Sequence, residues 1–207
     1  MPETDTDGFR SCYDKLRKAA KIDNLSSAKI SEIVPNLYLA GRTVAQNSEL
    51  LSEKNVTTVI NVSDREIPHY PQSHPSIRHY KFYPTSDTAN AKFDAFLEEA
   101  IRLIHESRLH GNGVLVHCFL GVSRSATLVA FYLISIYGMT WKDAVDFVRQ
   151  RRVSANPNFG FLHQLKVFSN TKAKDFRHRL TSDRCAQMRK SDAEFIKNQL
   201  PLAVIQL

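Results

Sequence analysis

A cysteine and an arginine near the middle of the chain have the spacing of a reactive pair. Cys118 and Arg124 bound a loop of the form Cys-x5-Arg. The apolar run Val114–His117 predicts a buried strand before the loop, and the stretch after Arg124, free of Gly and Pro, predicts a helix. A loop between a strand and a helix directs backbone N–H groups and the positive end of the helix dipole at one spot. We therefore expect an anion-binding site there.

The two ends of this loop suggest the reaction. The N–H groups and the dipole favour the negatively charged form of Cys118, and a thiolate is a strong nucleophile. The planar guanidinium of Arg124 can hold two phosphate oxygens at once. A nucleophile beneath a cradle for a dianion predicts attack on the phosphorus of a bound phosphate monoester.

The whole loop has a more specific pattern, His117-Cys118-x-x-Gly121-x-Ser123-Arg124-Ser125. This string resembles the signature of the cysteine-dependent protein phosphatases, in particular their dual-specificity branch. A bare Cys-x5-Arg is weak evidence, whereas the full string between a strand and a helix is specific. The resemblance extends over about residues 30–168 and implies a small, atypical member, since 207 residues leave no room for an N-terminal kinase-docking domain.

The resemblance also implies a mechanism. Cys118 attacks in line to give a cysteinyl-phosphate intermediate, which water then hydrolyses. The phosphate oxygens are held by the loop, whose residues are Phe119, Leu120, Gly121, Val122, Ser123 and Arg124. Neither a metal ion nor a cofactor is expected, since no His, Cys and Asp cluster has the spacing of metal ligands.

The departing oxygen needs a proton, so a carboxylic acid should lie near the loop. The candidates are Asp64, Asp87, Asp94 and Asp143. Asp94 and Asp143 fall in the first turns of predicted helices, where a carboxylate complements the helix dipole. Asp64 and Asp87 both follow predicted strands, and spacing alone leaves both open. The family carries its general acid in the polar loop that corresponds to residues 85–88, so the resemblance favours Asp87.

Further residues of the pattern have supporting roles by resemblance. We expect Ser125 either to donate its hydroxyl to the nucleophilic sulfur or to be an ordinary first-turn serine. We expect His117 either to hydrogen-bond the loop backbone or to be a core histidine. Asn158 either ties neighbouring loops to the phosphate loop or caps a helix. Ser123 should shape the loop, and Gly121 should adopt a φ that a side chain would resist.

The loop side chains bear on the choice of substrate. Phe119, Leu120 and Val122 are apolar, whereas relatives that act on inositol lipids place lysine there. We therefore expect phosphorylated proteins as partners, with protein kinases among them. By resemblance, a shallow pocket should accept phosphotyrosine and phosphoserine or phosphothreonine alike. Two other hypotheses stay open: a catalytically silent phosphoprotein-binding scaffold with the same cradle, and a rhodanese-type sulfurtransferase, which the ends of the loop fit poorly.

Composition limits the remaining possibilities. The 207 residues are 43% hydrophobic, enough for one α/β core, and three cysteines predict free thiols in a reducing compartment. The polar start and the lack of a bilayer-spanning apolar run predict a cytoplasmic or nuclear protein without a transmembrane segment. The net charge of +7 suits phosphorylated partners but equally a solvated basic surface, and no basic–aromatic interleaving indicates nucleic acid.

The elements around the loop alternate between strands and helices. They predict one α/β domain, with a mostly parallel sheet of about four to five strands flanked by helices on both faces. The domain should span residues 29–170, between a flexible N-terminal arm (1–28) and a basic C-terminal tail with an apolar end (171–207). The tail is expected either to pack on the domain or to form an arm with weak contact to an anionic membrane or a partner. The strands are predicted at 30–40 (two, with a turn between them), 56–62, 77–83 and 114–117, and the helices at 47–54, from 93, from 124, at 141–152 and at 159–168.

Overall fold

A computed structural model describes residues 29–66, 74–180 and 183–199, and the predicted N-terminal arm lies outside them. Five strands in these residues form one sheet of order β1-β2-β5-β3-β4, in which β1 is antiparallel to β2 and the other neighbours are parallel. The strands are β1 Ser31–Val34, β2 Leu37–Ala40, β3 Val56–Ser63, β4 His79–Pro84 and β5 Gly113–His117. The predicted α/β class and the mostly parallel sheet are confirmed.

Helices cover both faces of the sheet, as predicted. They are α1 Arg42–Ala45, α2 Ser48–Glu53, α3 Leu97–Leu109, α4 Arg124–Tyr137, α5 Trp141–Arg151, α6 Phe159–Thr171, α7 Ala173–Leu180 and α8 Asp183–Gln199. Helices α1 and α2 pack on one face through Val44 and Leu51, which cluster with Leu115 of β5. The larger core, on the other face, contains buried residues of α3 to α8. The four-residue α1 was not predicted.

Strand β5 and helix α4 are the most enclosed pair of elements. All five residues of β5 are buried, and it lies at the centre of the sheet between β2 and β3. Helix α4 is buried from Arg124 to Ile136 and is capped by Gly138, which adopts a φ of 72°. A left-handed glycine is a common helix terminator because it has no side chain to clash. The loop between β5 and α4 is therefore held at both ends by packed structure.

The start of α3 differs from the prediction. The helix was expected from Phe93, but it begins at Leu97. The N–H of Phe93 is bound by the side-chain oxygen of Gln164 at 3.2 Å, and its ring packs against Phe131 and Phe161. The apolar periodicity therefore predicted burial correctly. The N–H groups of Phe96 and Leu97 both donate to the Phe93 carbonyl, at 3.1 and 3.0 Å, so residues 93–96 form a turn that leads into α3.

The C-terminal stretch does not leave the domain at residue 170. Helix α6 continues to Thr171, and α7 and α8 follow. Phe176 and Ile196 join the core, and Arg108 of α3 binds both carboxylate oxygens of Asp192 at 2.9 Å. The described part of the predicted tail is thus packed on the domain, since its apolar residues are buried in the core and Asp192 pairs with Arg108. No helix in the described ranges is long and apolar enough to cross a membrane, and residues 200–207 lie outside them.

Candidate active site

The floor of the site is the sulfur of Cys118, which directly follows β5 and is only 2% exposed. The sulfur accepts hydrogen bonds from the Gly121 N–H at 3.2 Å and from the Ser125 hydroxyl at 3.2 Å. Of the two alternatives for Ser125, the structure shows the contact with the sulfur. Two converging donors stabilise negative charge on the atom that accepts from them.

Gly121 makes the tight loop possible. Its φ is +71°, and a Cβ there would lie 2.4 Å from the carbonyl oxygen of Ala40. Any side chain would therefore be both strained and in collision with the end of β2. The expected unusual φ of Gly121 is present.

Arg152, which was not among the candidate residues from the sequence, binds the backbone of the phosphate loop. It is 3% exposed, and its guanidinium donates to the carbonyls of Gly121 at 2.7 Å and Leu120 at 3.2 Å. The backbone N–H of Arg42 similarly donates to the carbonyl of Phe119 at 3.0 Å. Because these three carbonyls accept hydrogen bonds from Arg152 and Arg42, which lie outside the loop, the loop backbone is held in one conformation. A basic residue after an amphipathic helix normally suggests a solvated helix end, so only its burial identifies Arg152.

Arg124 is almost fully enclosed beside the loop. One terminal nitrogen of its guanidinium, Nη1, donates to Asp64 Oδ1 at 3.2 Å and to the Thr85 carbonyl at 3.1 Å. The hydrogen bond from Arg124 lowers the pKa of Asp64 below its ordinary value. The Nε–H of Arg124 is buried without an acceptor among the described residues. Asp64 is therefore an exposed partner of the arginine, at the edge of the site.

Asp87 lies beside the phosphate loop. Its Oδ1 accepts from the Ser123 hydroxyl at 2.7 Å and from the Asn158 side-chain N–H at 2.9 Å. The other oxygen, Oδ2, lies 3.8 Å from Nε of Arg124. Its side chain is 38% exposed, so it remains accessible from solvent. The carboxyl group is thus oriented by two donors and faces the phosphate loop.

The other two candidate aspartates lie elsewhere. Asp94 pairs with Lys172 at 3.5 Å, and Asp143 forms a capping pair with Thr140 at the start of α5. Neither has a contact with the phosphate loop among the hydrogen bonds and ion pairs of the described residues. No group of three or more His, Cys, Asp or Glu side chains in the described ranges is placed to hold a metal ion.

Asn158 performs both of the functions left open for it. Its Oδ1 caps α6 by accepting from the Phe161 N–H at 3.0 Å, while its Nδ2 donates to Asp87. Its backbone N–H also donates to the Ser123 hydroxyl at 3.1 Å. Ser123 therefore accepts from Asn158 and donates to Asp87, so the three residues form one network between the phosphate loop, the loop after β4 and α6.

His117 is a buried histidine that also contacts the loop. Its Nδ1 lies 3.3 Å from the Cys118 carbonyl, and the ring is 1% exposed. Burial lowers the pKa of His117 to about 4. The imidazole is accordingly neutral at physiological pH.

A buried cysteine and an arginine at the two ends of a strand–loop–helix cradle, with a carboxylate opposite, define a cysteine-dependent phosphatase site. Comparison with known proteins supports this class. The catalytic-domain model of the dual specificity phosphatases matches residues 37–171. The chain therefore belongs to the dual specificity phosphatase family, which comprises protein phosphatases that hydrolyse phosphoric monoesters.

Individual relatives agree with this assignment. Mouse dual specificity protein phosphatase 22 is 36% identical over 173 residues, which cover 83% of this chain and 90% of the mouse protein. The crystal structure of DUSP15 is similar with a TM-score of 0.68 and 31% identity, covering 73% of this chain and 94% of that one. The human tyrosine phosphatase-like serine/threonine/tyrosine-interacting protein has a TM-score of 0.62 and 31% identity, covering 67% and 94%.

Proposed function

We propose that this protein hydrolyses phosphotyrosine and phosphoserine or phosphothreonine monoesters on other proteins through a cysteinyl-phosphate intermediate. The observation that carries the proposal is the pair of hydrogen bonds donated to the Cys118 sulfur by Gly121 and Ser125. A sulfur held by two donors is suited to attack as a thiolate and to depart as one.

The first step forms the intermediate. The Cys118 thiolate attacks phosphorus in line, so that an S–P bond forms while the P–O bond to the substrate side chain breaks. Asp87 supplies the proton that the departing oxygen takes up. The network of Ser123 and Asn158 supports this role because it orients the carboxyl group toward the loop.

The second step releases phosphate. Asp87 takes a proton from a water molecule, whose oxygen attacks phosphorus while the S–P bond breaks and the electron pair returns to sulfur. Ser125 stabilises this departing thiolate through its hydroxyl. Throughout both steps, Arg124 and the loop amides neutralise the phosphoryl oxygens. A phosphate oxygen is also a suitable acceptor for the buried Nε–H of Arg124.

A catalytically silent scaffold is the second candidate. It is favoured by one observation, that a similar solved structure is named a phosphatase-like interacting protein. A scaffold would use the same cradle to bind phosphoproteins, protein kinases among them, without turnover. The combination of nucleophile, guanidinium and oriented carboxyl favours the enzyme.

A single-turnover assay with para-nitrophenyl phosphate distinguishes the two. The wild type is expected to release one equivalent of para-nitrophenolate per site and to form a covalent phosphoprotein on denaturing quench, whereas Cys118→Ser does neither. Cys185→Ser is the matched control, since that thiol is also buried but lies in α8, outside the site. Binding of a phosphopeptide without any release of phosphate would instead support the scaffold.

A further inference from the structure

Large apolar side chains are exposed around the mouth of the site. Among the described residues, the exposed large hydrophobics are Phe119, Leu120, Val153, Phe159 and Val167. Two of them, 53% and 51% exposed, directly follow the nucleophile in the phosphate loop, and Phe159 directly follows Asn158. We refer to Phe119, Leu120 and Phe159 as the apolar rim. Exposure of several large apolar groups beside one site is a feature of binding surfaces.

The backbone contacts fix the rim to the catalytic groups. The carbonyl of Phe119 is bound by Arg42 and that of Leu120 by Arg152, so the loop cannot turn these residues inward without losing both hydrogen bonds. The Asn158 side chain binds Asp87, which places the start of α6 beside the general acid. A peptide whose phosphate occupies the loop therefore brings the residues next to its phosphorylated side chain close to Phe119 and Leu120, which belong to that loop.

The charges at the mouth do not match the charge of the whole chain. The net charge of +7 predicts a preference for acidic peptides. At the mouth, however, the carboxylate of Asp64, whose side chain is 59% exposed, already binds Arg124 and lies near Arg65, so that these charges compensate one another. An acidic residue that packs against the apolar rim would lose part of its hydration to apolar surface, a cost that a leucine side chain does not have.

We propose that the apolar rim selects phosphoproteins that carry a large apolar residue next to the phosphorylated one. This inference rests on the proposed function and names the substrate class of the same site. Burying an apolar side chain removes apolar area from water on both partners. Discrimination by an apolar surface of this kind is typically about tenfold or more in kcat/KM.

Two phosphotyrosine peptides test the proposal, identical except for leucine or glutamate at both positions next to the phosphotyrosine. The wild type is expected to favour the leucine peptide about tenfold in kcat/KM. In Phe119→Ser/Leu120→Ser and in Phe159→Ser the ratio should fall to within about twofold of unity. Because each protein is compared with itself, a general loss of turnover does not imitate this result.

Val167→Thr is the matched control. Val167 is 45% exposed on the same helix as Phe159 but lies eight residues further along, about 12 Å away along the helix axis. Its substitution should leave the ratio unchanged. A wild-type ratio near unity, a preference for glutamate, or an equal effect of Val167→Thr would overturn the proposal.

Failure of the rim proposal and failure of the catalytic proposal can be distinguished by measuring peptide binding separately from turnover. If the wild type does not turn over para-nitrophenyl phosphate, the catalytic proposal fails, and the dissociation constants of the two peptides then measure the rim directly. A tenfold preference in binding for the leucine peptide that the rim substitutions abolish supports the rim. Equal binding of the two peptides contradicts it.

Discussion

Asn158 donates its side-chain N–H to Asp87 Oδ1 at 2.9 Å, while its side-chain oxygen caps helix α6. One amide therefore connects the start of a helix to the candidate general acid. Because the two halves of the amide have different partners, the structural and the catalytic contributions of Asn158 can be separated by substitution.

Substitutions of Asn158 are expected to divide these contributions. Asn158→Ser retains a good N-cap but is too short to reach Asp87, so kcat should fall with little change in the melting temperature. Asn158→Ala loses both partners and should also lower the free energy of unfolding by about 1 kcal/mol. Steady-state kinetics and denaturant unfolding of both variants check this. An unchanged kcat in Asn158→Ser would show that Asp87 does not depend on the amide.

Asp87→Asn should remove the basic limb of the pH–rate profile, because asparagine has no proton to donate to the leaving oxygen. We expect kcat on a phosphopeptide to fall at least about a hundredfold. The loss on para-nitrophenyl phosphate should be smaller, since its leaving group departs without a proton. Asp94→Asn is the control, because Asp94 pairs with Lys172 outside the site. Retention of the basic limb in Asp87→Asn would remove Asp87 from this role.

Gly160→Ala should displace the loop that carries Asp87. A Cβ at Gly160 would lie 1.9 Å from the carbonyl oxygen of Ala89, so the backbone must move. We expect kcat on a phosphopeptide to fall about tenfold or more, while inhibition by inorganic phosphate is retained because the phosphate loop is untouched. The control is Gly111→Ala, whose Cβ meets nothing within 4 Å although its φ of +73° is unfavourable. That variant should lose stability but not turnover.

Asp192→Asn should destabilise the fold through α8. Arg108 and Asp192 have side chains that are each 1% exposed, and Tyr137 also donates to the carboxylate. Loss of the negative charge leaves a buried guanidinium uncompensated, which costs about 3 kcal/mol. Glu194→Gln, at an exposed position of the same helix, should change the free energy of unfolding by less than about 0.5 kcal/mol. Denaturant unfolding of the two variants provides the comparison.

The stability of the protein should fall on acidification from pH 6.5 toward pH 4. Burial lowers the pKa of His105, with a further contribution from Arg108, and burial likewise lowers that of His117; both pKa values move from 6.5 to about 4. In this window the unfolded chain binds protons that the folded protein cannot, so stability is present above pH 6.5 and is lost as the pH falls. Each histidine contributes a slope of up to about 1.4 kcal/mol per pH unit.

Unfolding experiments across this pH range measure the slope. His105→Gln should reduce it, because one of the two titrating groups is gone. His110→Gln, an exposed position at the end of α3, should not change it. A slope that is the same in His105→Gln as in the wild type would contradict the assignment.

The sequence was most informative where chemistry and local backbone geometry coincide. The Cys-x5-Arg loop, the strand before it and the helix after it could be predicted because burial and periodicity are local properties. The positive φ of Gly121 followed from the same reasoning. The choice among the aspartates was also narrowed from sequence, since Asp94 and Asp143 were assigned to helix starts and the resemblance favoured Asp87 over Asp64.

What remained hidden depended on contacts between distant parts of the chain. Arg152 is 31 residues from Gly121, and Asp192 is 84 residues from Arg108. Arg108 and Arg152 lie at the ends of helices, where a basic residue normally indicates solvent exposure. No local sequence pattern distinguishes a buried arginine from an exposed one.

By itself, the sequence determined the reaction class, because a nucleophile and a guanidinium on one short loop are positioned by the bonds between them. Only the tertiary structure decided how that loop is held, which aspartate faces it, and that the C-terminal helices belong to the domain. Those relationships join segments whose separation along the chain carries no information about their distance in space, since packing alone brings them together.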